Sequence, residues 1–203
     1  MVRMTSVKMQ CNKSLNDLCK LLFTLIILLS LNGCISSRSY YVLSNTSAPT
    51  SVYPNKHRVI AVQKVTVPEY LYKREIAVAT SSSQVTLLSG AVWGEDLDAG
   101  LTRRLISFLQ KKFNQPSVYA YPWGVSREPS VIVKVDVTRF IAQGDKVYLD
   151  ANWEVMQART KNRRARLFST SVATGSDANS IVDAMDRAFG QLEENVALGV
   201  KHF

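Results

Sequence analysis

A chain of 203 residues, 46% hydrophobic, with a formal net charge of +9 and three cysteines, is one domain with enough length for a real core. Its basic balance fits solubility first and contact with anionic headgroups or an acidic partner second. Nucleic acid is set aside as a partner, because the first thirty residues mark the chain for export.

Those residues come first in chain order. Arg3, Lys8, Lys13 and Lys20 stand against one acid, Asp17, ahead of an apolar run from Leu21 to Leu31. A positive leader, a short apolar stretch and a small residue before the cut describe a secretory signal peptide. The run is about half of the roughly 20 residues needed to cross a bilayer core. Leu31-Asn32-Gly33-Cys34 reads as a lipobox, with Asn32 a departure from the usual small residue. Residues 1–33 are therefore predicted to be a lipoprotein signal peptide. Cys34 becomes the mature N-terminus, carrying a diacylglyceryl thioether and an N-acyl chain such as palmitate. One acyl chain binds a membrane marginally, whereas two or three hold essentially for good. Ile35 is not acidic and no Asp follows closely, the sorting pattern of an outer-membrane lipoprotein facing the periplasm. Cys11 and Cys19 leave with the leader, so no intrachain disulfide is available to the mature chain.

Residues 34–39 are a short tether, and the body is expected over 40–203. Tyr40 to Leu43 reads as a strand, and Ser44 to Lys56, rich in Ser, Thr, Asn and Pro, as a loop. Val59 to Val62, continuing through Val65 and Val67, has apolar residues on both faces and belongs inside a sheet; Pro68 ends it. Glu75 to Thr80 and Gln84 to Leu88 form a hairpin through three serines. The spacing of Trp93, Leu97, Leu101, Leu105, Phe108, Leu109 and Phe113 predicts a helix over Trp93 to Phe113. Glu95, Asp96 and Asp98 at its start and Lys111 and Lys112 at its end complement the dipole. A strand near Val118 to Tyr121 follows. Ser130 to Phe140, Val147 to Met156 and Ala165 to Thr174 alternate as an antiparallel meander, turning at Gln143-Gly144-Asp145 and Thr160 to Arg164. Ser176 or Asp177 caps a last helix whose stripe is Ile181, Met185, Ala188, Phe189, Leu192 and Val196. The fold class is α+β: a mostly antiparallel sheet with two helices on one face, in a single domain.

Chemistry is sparse in this pattern. His57 and His202 have no partner at metal-ligand spacing, and the thioether at Cys34 is no thiolate. Nucleophile-elbow, Walker and dinucleotide motifs are missing from the sequence. The acids at Glu95, Asp96 and Asp98 are explained by the helix dipole. No catalytic residue, metal or cofactor is expected, and the protein is not read as an enzyme. The basic run Lys161 to Arg166 is a solvated turn or a headgroup or partner contact. Tyr119, Tyr121 and Trp123 around Pro122 are core or strand edge unless exposed, when they would suit an interface.

The lipobox, Tyr40-Tyr41-x-Leu43, Val65 to Leu71, Trp93 to Leu97 with Arg104-Leu105, Tyr121-Pro122-Trp123 and Val135-x-Val137-x-Arg139-Phe140 occur in the order seen in one family. In this the chain resembles the ABC-type transport auxiliary lipoproteins. Where that family often has Asp-Arg after the Tyr-Leu pair, Tyr72-Lys73-Arg74 stands here. The resemblance implies a non-enzymatic docking subunit of an MCE-type intermembrane phospholipid transport system. Its partners would be the MCE-domain tunnel protein and the inner-membrane subunits, where any ATP is hydrolysed, and it would form a homo-oligomeric ring around the tunnel end. Pro68, Tyr70, Leu71, Tyr121 and Trp123 are the candidate partner contacts. The rival class is an envelope assembly or structural lipoprotein, such as a cell-wall enzyme activator or a secretion accessory. An adjacent MCE-domain gene would favour transport.

Overall fold

A computed structural model of the chain describes residues 20–23, 37–44, 48–53, 58–122 and 128–203. Residues Met1–Ser37 form one unit and Arg38–Phe203 another. In the first, Lys20 to Phe23 is helical. Cys34 and its lipobox lie outside the described residues.

The second unit is α+β, built on an eight-stranded sheet. Its strands are β1 (Ser39–Tyr41), β2 (Ile60–Gln63), β3 (Glu75–Ala79), β4 (Val85–Trp93), β5 (Val118–Tyr121), β6 (Val131–Gln143), β7 (Lys146–Gln157) and β8 (Arg163–Ala173). Two helices, α1 (Leu97–Lys112) and α2 (Ala178–Lys201), and one 3₁₀ turn (Glu69–Leu71) complete it.

The sheet hangs on β6. Val131, Val133, Val135 and Val137 alternate inward and are at most 2% exposed, as a strand of period two requires. β7 pairs antiparallel along the whole of β6, and β8 along β7. One edge of β6 is thereby used, so β2 and β3 share the other. β2 pairs parallel over Val131–Val133 and β3 parallel at Ala142–Gln143, with a single bridge from Thr66 to Asp136 between them. β2 carries β5 parallel on its outer side, whereas β3 carries β4 antiparallel and β4 carries β1 parallel. The expected meander is present. The sheet as a whole is mixed, because four short parallel ladders attach the N-terminal strands to it. Ile60, Ala61 and Val62 are fully buried, as expected of a strand lying inside a sheet.

The first helix needs a correction. Trp93 ends β4 rather than opening the helix, which begins at Leu97 behind an extended Asp96. Trp93 is 4% exposed and its N–H donates to the Arg74 carbonyl at 2.6 Å. The hairpin's second strand thus runs to Trp93, past an irregularity in register between Glu75 and Ala77. The acids are also not interchangeable: Asp98 is buried and pairs with Lys64 at 2.6 Å, and Glu95 pairs with Arg103.

Both helices pack their apolar stripes on the inward face of the sheet. All six stripe residues of α2 are buried. Asp177 caps it, accepting from the Ser180 N–H at 3.0 Å, the bond expected of an N-cap. At the far end Gly199 lets α2 touch the sheet. A Cβ there would sit 2.5 Å from the Trp153 ring, so only glycine fits without moving a rigid side chain.

Charged groups tie the helices together. Arg104, 2% exposed, donates to both Glu193 oxygens at 3.2 Å, to the Asp186 carbonyl at 2.9 Å and to the Asp186 carboxylate. Buried Lys112 donates to Glu194 at 2.6 Å and Ser51 at 3.2 Å. The same α2 carboxylates hold the segment after β1: Ser44 N–H donates to Asp186 at 2.8 Å and Thr50 N–H to Glu194 at 2.7 Å. Tyr53 lies between two cations, with Lys112 Nζ at 4.5 Å and Lys201 Nζ at 4.2 Å from its ring, within cation–π range.

Candidate functional site

Strand direction divides the surface into two regions. β1 runs parallel to β4, β4 antiparallel to β3, and β3 parallel to β6. The chain therefore enters at Ser39 near the C-terminal half of β6 and runs towards its start. The β7–β8 turn lies at the opposite end, where β6 begins: the Ala158 N–H donates to the Ser130 carbonyl at 3.0 Å. The strand pairings set Ser39 level with about Phe140, so about nine residues of β6, at about 3.4 Å each, put these regions on the order of 30 Å apart.

At the entry region β1 alternates. Tyr41 and Leu43 turn to the core, whereas Tyr40 is 64% and Val42 59% exposed. The turn after the 3₁₀ segment lies beside it. Leu71, Tyr72, Lys73, Arg74, Trp93 and Gly94 share one hollow of about 340 Å³. Gly94 N–H donates to the Tyr41 carbonyl at 2.7 Å, and a Cβ on Gly94 would meet Val42 at 3.1 Å.

This placement separates the candidate contacts named from the sequence. Leu71 is 3% exposed and belongs to the core. Tyr70 is half-buried, and its hydroxyl accepts from the Phe140 N–H at 3.2 Å. Burial pushes the Tyr70 phenol above its ordinary value, since a charged phenolate is disfavoured out of water. Leu71 packs into the core, and the Tyr70 hydroxyl ties the turn to β6 while the residue stays half-buried. Pro68 is half-buried, while Tyr72, Lys73 and Arg74 are exposed. The exposed aromatic here, Tyr72, was not among the named candidates; its place just past the core-directed Leu71 in a short turn was the available signal. Tyr121 is 38% exposed on the edge strand β5. Trp123 lies outside the described residues.

The opposite region is basic. Lys161 sits in the β7–β8 turn with φ 62°, Arg159 lies beside it, and Arg163, Arg164 and Arg166 extend along β8 rather than capping a tip. Among the described residues none of these five forms a salt bridge. Tyr121, Ile132, Arg159 and Lys161 line a hollow of about 600 Å³ with Glu128 and Gln157. A shallower hollow of about 410 Å³ crosses the outward sheet face between Lys134, Asn152, Glu154 and Leu167.

Such surfaces can bind. Among the described residues no three His, Cys, Asp or Glu side chains are grouped to hold a metal, and no helix is long and apolar enough to cross a membrane. The perturbed ionisations trace to burial at Arg58 and Tyr70, to the Asp98 partner at Lys64 and to the helix cap at Asp177. Burial raises the Glu194 carboxyl, but hydrogen bonds from Lys112 and Thr50 outweigh it and hold the group below its ordinary value.

Comparison with known proteins agrees with this picture. The model of a family described as the ABC-type transport auxiliary lipoprotein component matches residues 41–197. The intermembrane transport lipoprotein PqiC of Escherichia coli (strain K12) is 26% identical over 182 residues, covering 87% of this chain and 95% of that protein. Among solved structures, protein XCC0632 from Xanthomonas campestris superposes with a TM-score of 0.68 at 14% identity, over 81% of this chain and 96% of that one. A second, from an uncharacterized protein, gives 0.66 at 21% identity, over 81% and 99%. At such identities the two structures establish a shared fold.

Proposed function

Because the chain belongs to the ABC-type transport auxiliary lipoprotein component family, we propose that it is acylated at Cys34, sits on the periplasmic face of the outer membrane, and docks an MCE-type tunnel protein that passes phospholipid between membranes. The observation that carries this reading is the family match, which runs from the end of β1 into the last turns of α2. Its relative at 26% identity is named for intermembrane transport.

The surface chemistry supports a binding role. A small body on a short acylated tether stays at one bilayer. Its exposed Tyr121 and the arginines of β8, which form no salt bridge among the described residues, suit an acidic partner surface. Several copies in a ring around the tunnel mouth would present these groups repeatedly, and the protein needs no catalytic group for that work. ATP hydrolysis, where used, falls to another subunit.

The direct test is copurification from native membranes with the MCE-domain subunit. Tyr121→Ala is expected to lower recovery of that subunit several-fold while the lipoprotein stays folded and acylated. Unchanged recovery would remove Tyr121 from the interface, and absence of the subunit from wild-type preparations would count against the docking role itself.

A further inference from the structure

Near Ser39 the surface carries exposed aromatic and apolar side chains. Tyr40, Val42 and Tyr72 are 64%, 59% and 50% exposed. They are held in place by well-made backbone bonds: Gly94 N–H to Tyr41 O at 2.7 Å and Trp93 N–H to Arg74 O at 2.6 Å. Two tyrosines and a valine on a rigid strand edge and turn, with Lys73 and Arg74 alongside, have the composition of a membrane-interface anchor. Tyrosine rings prefer the headgroup level, one end apolar and the other wet.

Distance selects the occupant. Cys34 is five residues before Ser39, so an acylated sulfur lies within about 17 Å of β1 even when the link is fully extended. We propose that Tyr40, Val42 and Tyr72 form a second membrane contact, seated in the headgroup layer of the bilayer that holds the anchor, and that this contact turns the basic β7–β8 end away from that bilayer. The inference rests on acylation of Cys34.

Three side chains alone would not hold a protein on lipid. Behind an anchor the contact becomes intramolecular, and a short link gives it a high effective concentration. Glu95 pairs with Arg103, and Glu69 and Asp96 offset Lys73 and Arg74, so the charge around the turn is balanced. The contact is therefore apolar and aromatic, and it does not require anionic lipid. The outcome is orientation: an acyl chain by itself lets the body tumble, whereas two points of attachment fix which end faces the periplasm.

The test uses the acylated full-length product in proteoliposomes of phosphatidylethanolamine and phosphatidylglycerol. Single cysteines are introduced as Val42→Cys, Tyr72→Cys and Lys161→Cys and labelled with an environment-sensitive nitrobenzoxadiazole; the acylated Cys34 sulfur does not react. Labels at 42 and 72 are expected to shift to the blue and to be quenched by lipid spin-labelled near the headgroup, also in phosphatidylcholine vesicles. The label at 161 is expected to remain accessible to aqueous iodide. Floating protein with labels at 42 and 72 in water overturns the proposal, as does lipid quenching at 161. A blue shift at 42 and 72 without lipid quenching, the mark of a protein contact there, overturns it too. Protein that fails to float with the vesicles overturns the anchoring reading itself, which keeps the two failures apart.

Discussion

Single side chains here do jobs that their residue type did not announce. Tyr70 reads as a contact residue in sequence, yet its hydroxyl completes the hydrogen bonding of the Phe140 amide. An amide left without an acceptor in a half-buried place costs more than the bond it loses. Tyr70→Phe is therefore expected to lower unfolding free energy by about 1–3 kcal/mol in urea titration, with partner recovery unchanged. Arg104 is the sharper case. It is 2% exposed and joins Glu193 and Asp186 across the helix pair. Its deletion takes the guanidinium away from the fully buried Glu193 carboxylate, a loss of about 3–5 kcal/mol. Arg104→Ala should show it as a large drop in the urea midpoint, and a midpoint close to wild type would mean that Glu193 finds water. Neither role was legible in sequence, because both depend on which elements meet.

Elements were legible where one face is buried over a long stretch. The stripe from Ile181 to Val196, the alternation from Val131 to Val137 and that through β7 survive in the structure, because burial of one face is what writes such periodicities; β6 loses its alternation past the irregularity between Val137 and Arg139. Trp93 fails for the same physical reason. It stands four residues before Leu97, so it extends the helical stripe on paper, while its real burial comes from the end of β4. The segment after β1 reads only as a polar loop, yet Asp186 and Glu194 bind it across the helices; hydrogen bonds to distant carboxylates leave no local pattern. This strap should be acid-labile. The Glu194 carboxyl is held below its ordinary value of 4.5, so its contribution is fully present above that pH and is lost as pH falls through the lowered folded value. Urea midpoints from neutral pH down past 4.5 should fall less steeply in Glu194→Gln than in wild type. Asp177, lowered by the Ser180 hydroxyl, keeps its share of the slope in both. Identical acid limbs would dismiss the strap as a source of stability.

At the scale of the whole molecule, the class and the helix layer followed from pattern, whereas the strand order did not. Parallel ladders join segments far apart in the chain, as Ile60 to Val131 and Tyr40 to Val92 do, and nothing in either segment names its partner. The separation of an aromatic entry region from a basic far end depends on those ladders, which is why Lys161 to Arg166 could be read from sequence as facing lipid or protein alike. The family, by contrast, was legible because its short motifs follow one another in order along nearly the whole body.

The outer margin of β8 has a cost away from its natural setting. Among the described residues its eleven positions pair with a strand on one side only, and beyond Arg166 the stretch from Leu167 to Ala173 carries no charge. An unfinished margin of this kind can template the addition of another strand, and charges beside it act as gatekeepers. Overproduced in water without its partners, the protein should cluster through that neutral half. Leu167→Lys, at a side chain 85% exposed, should keep the thermal midpoint while suppressing growth of scattered light on storage; turbidity rising as fast as in the parent chain would locate the sticking surface elsewhere.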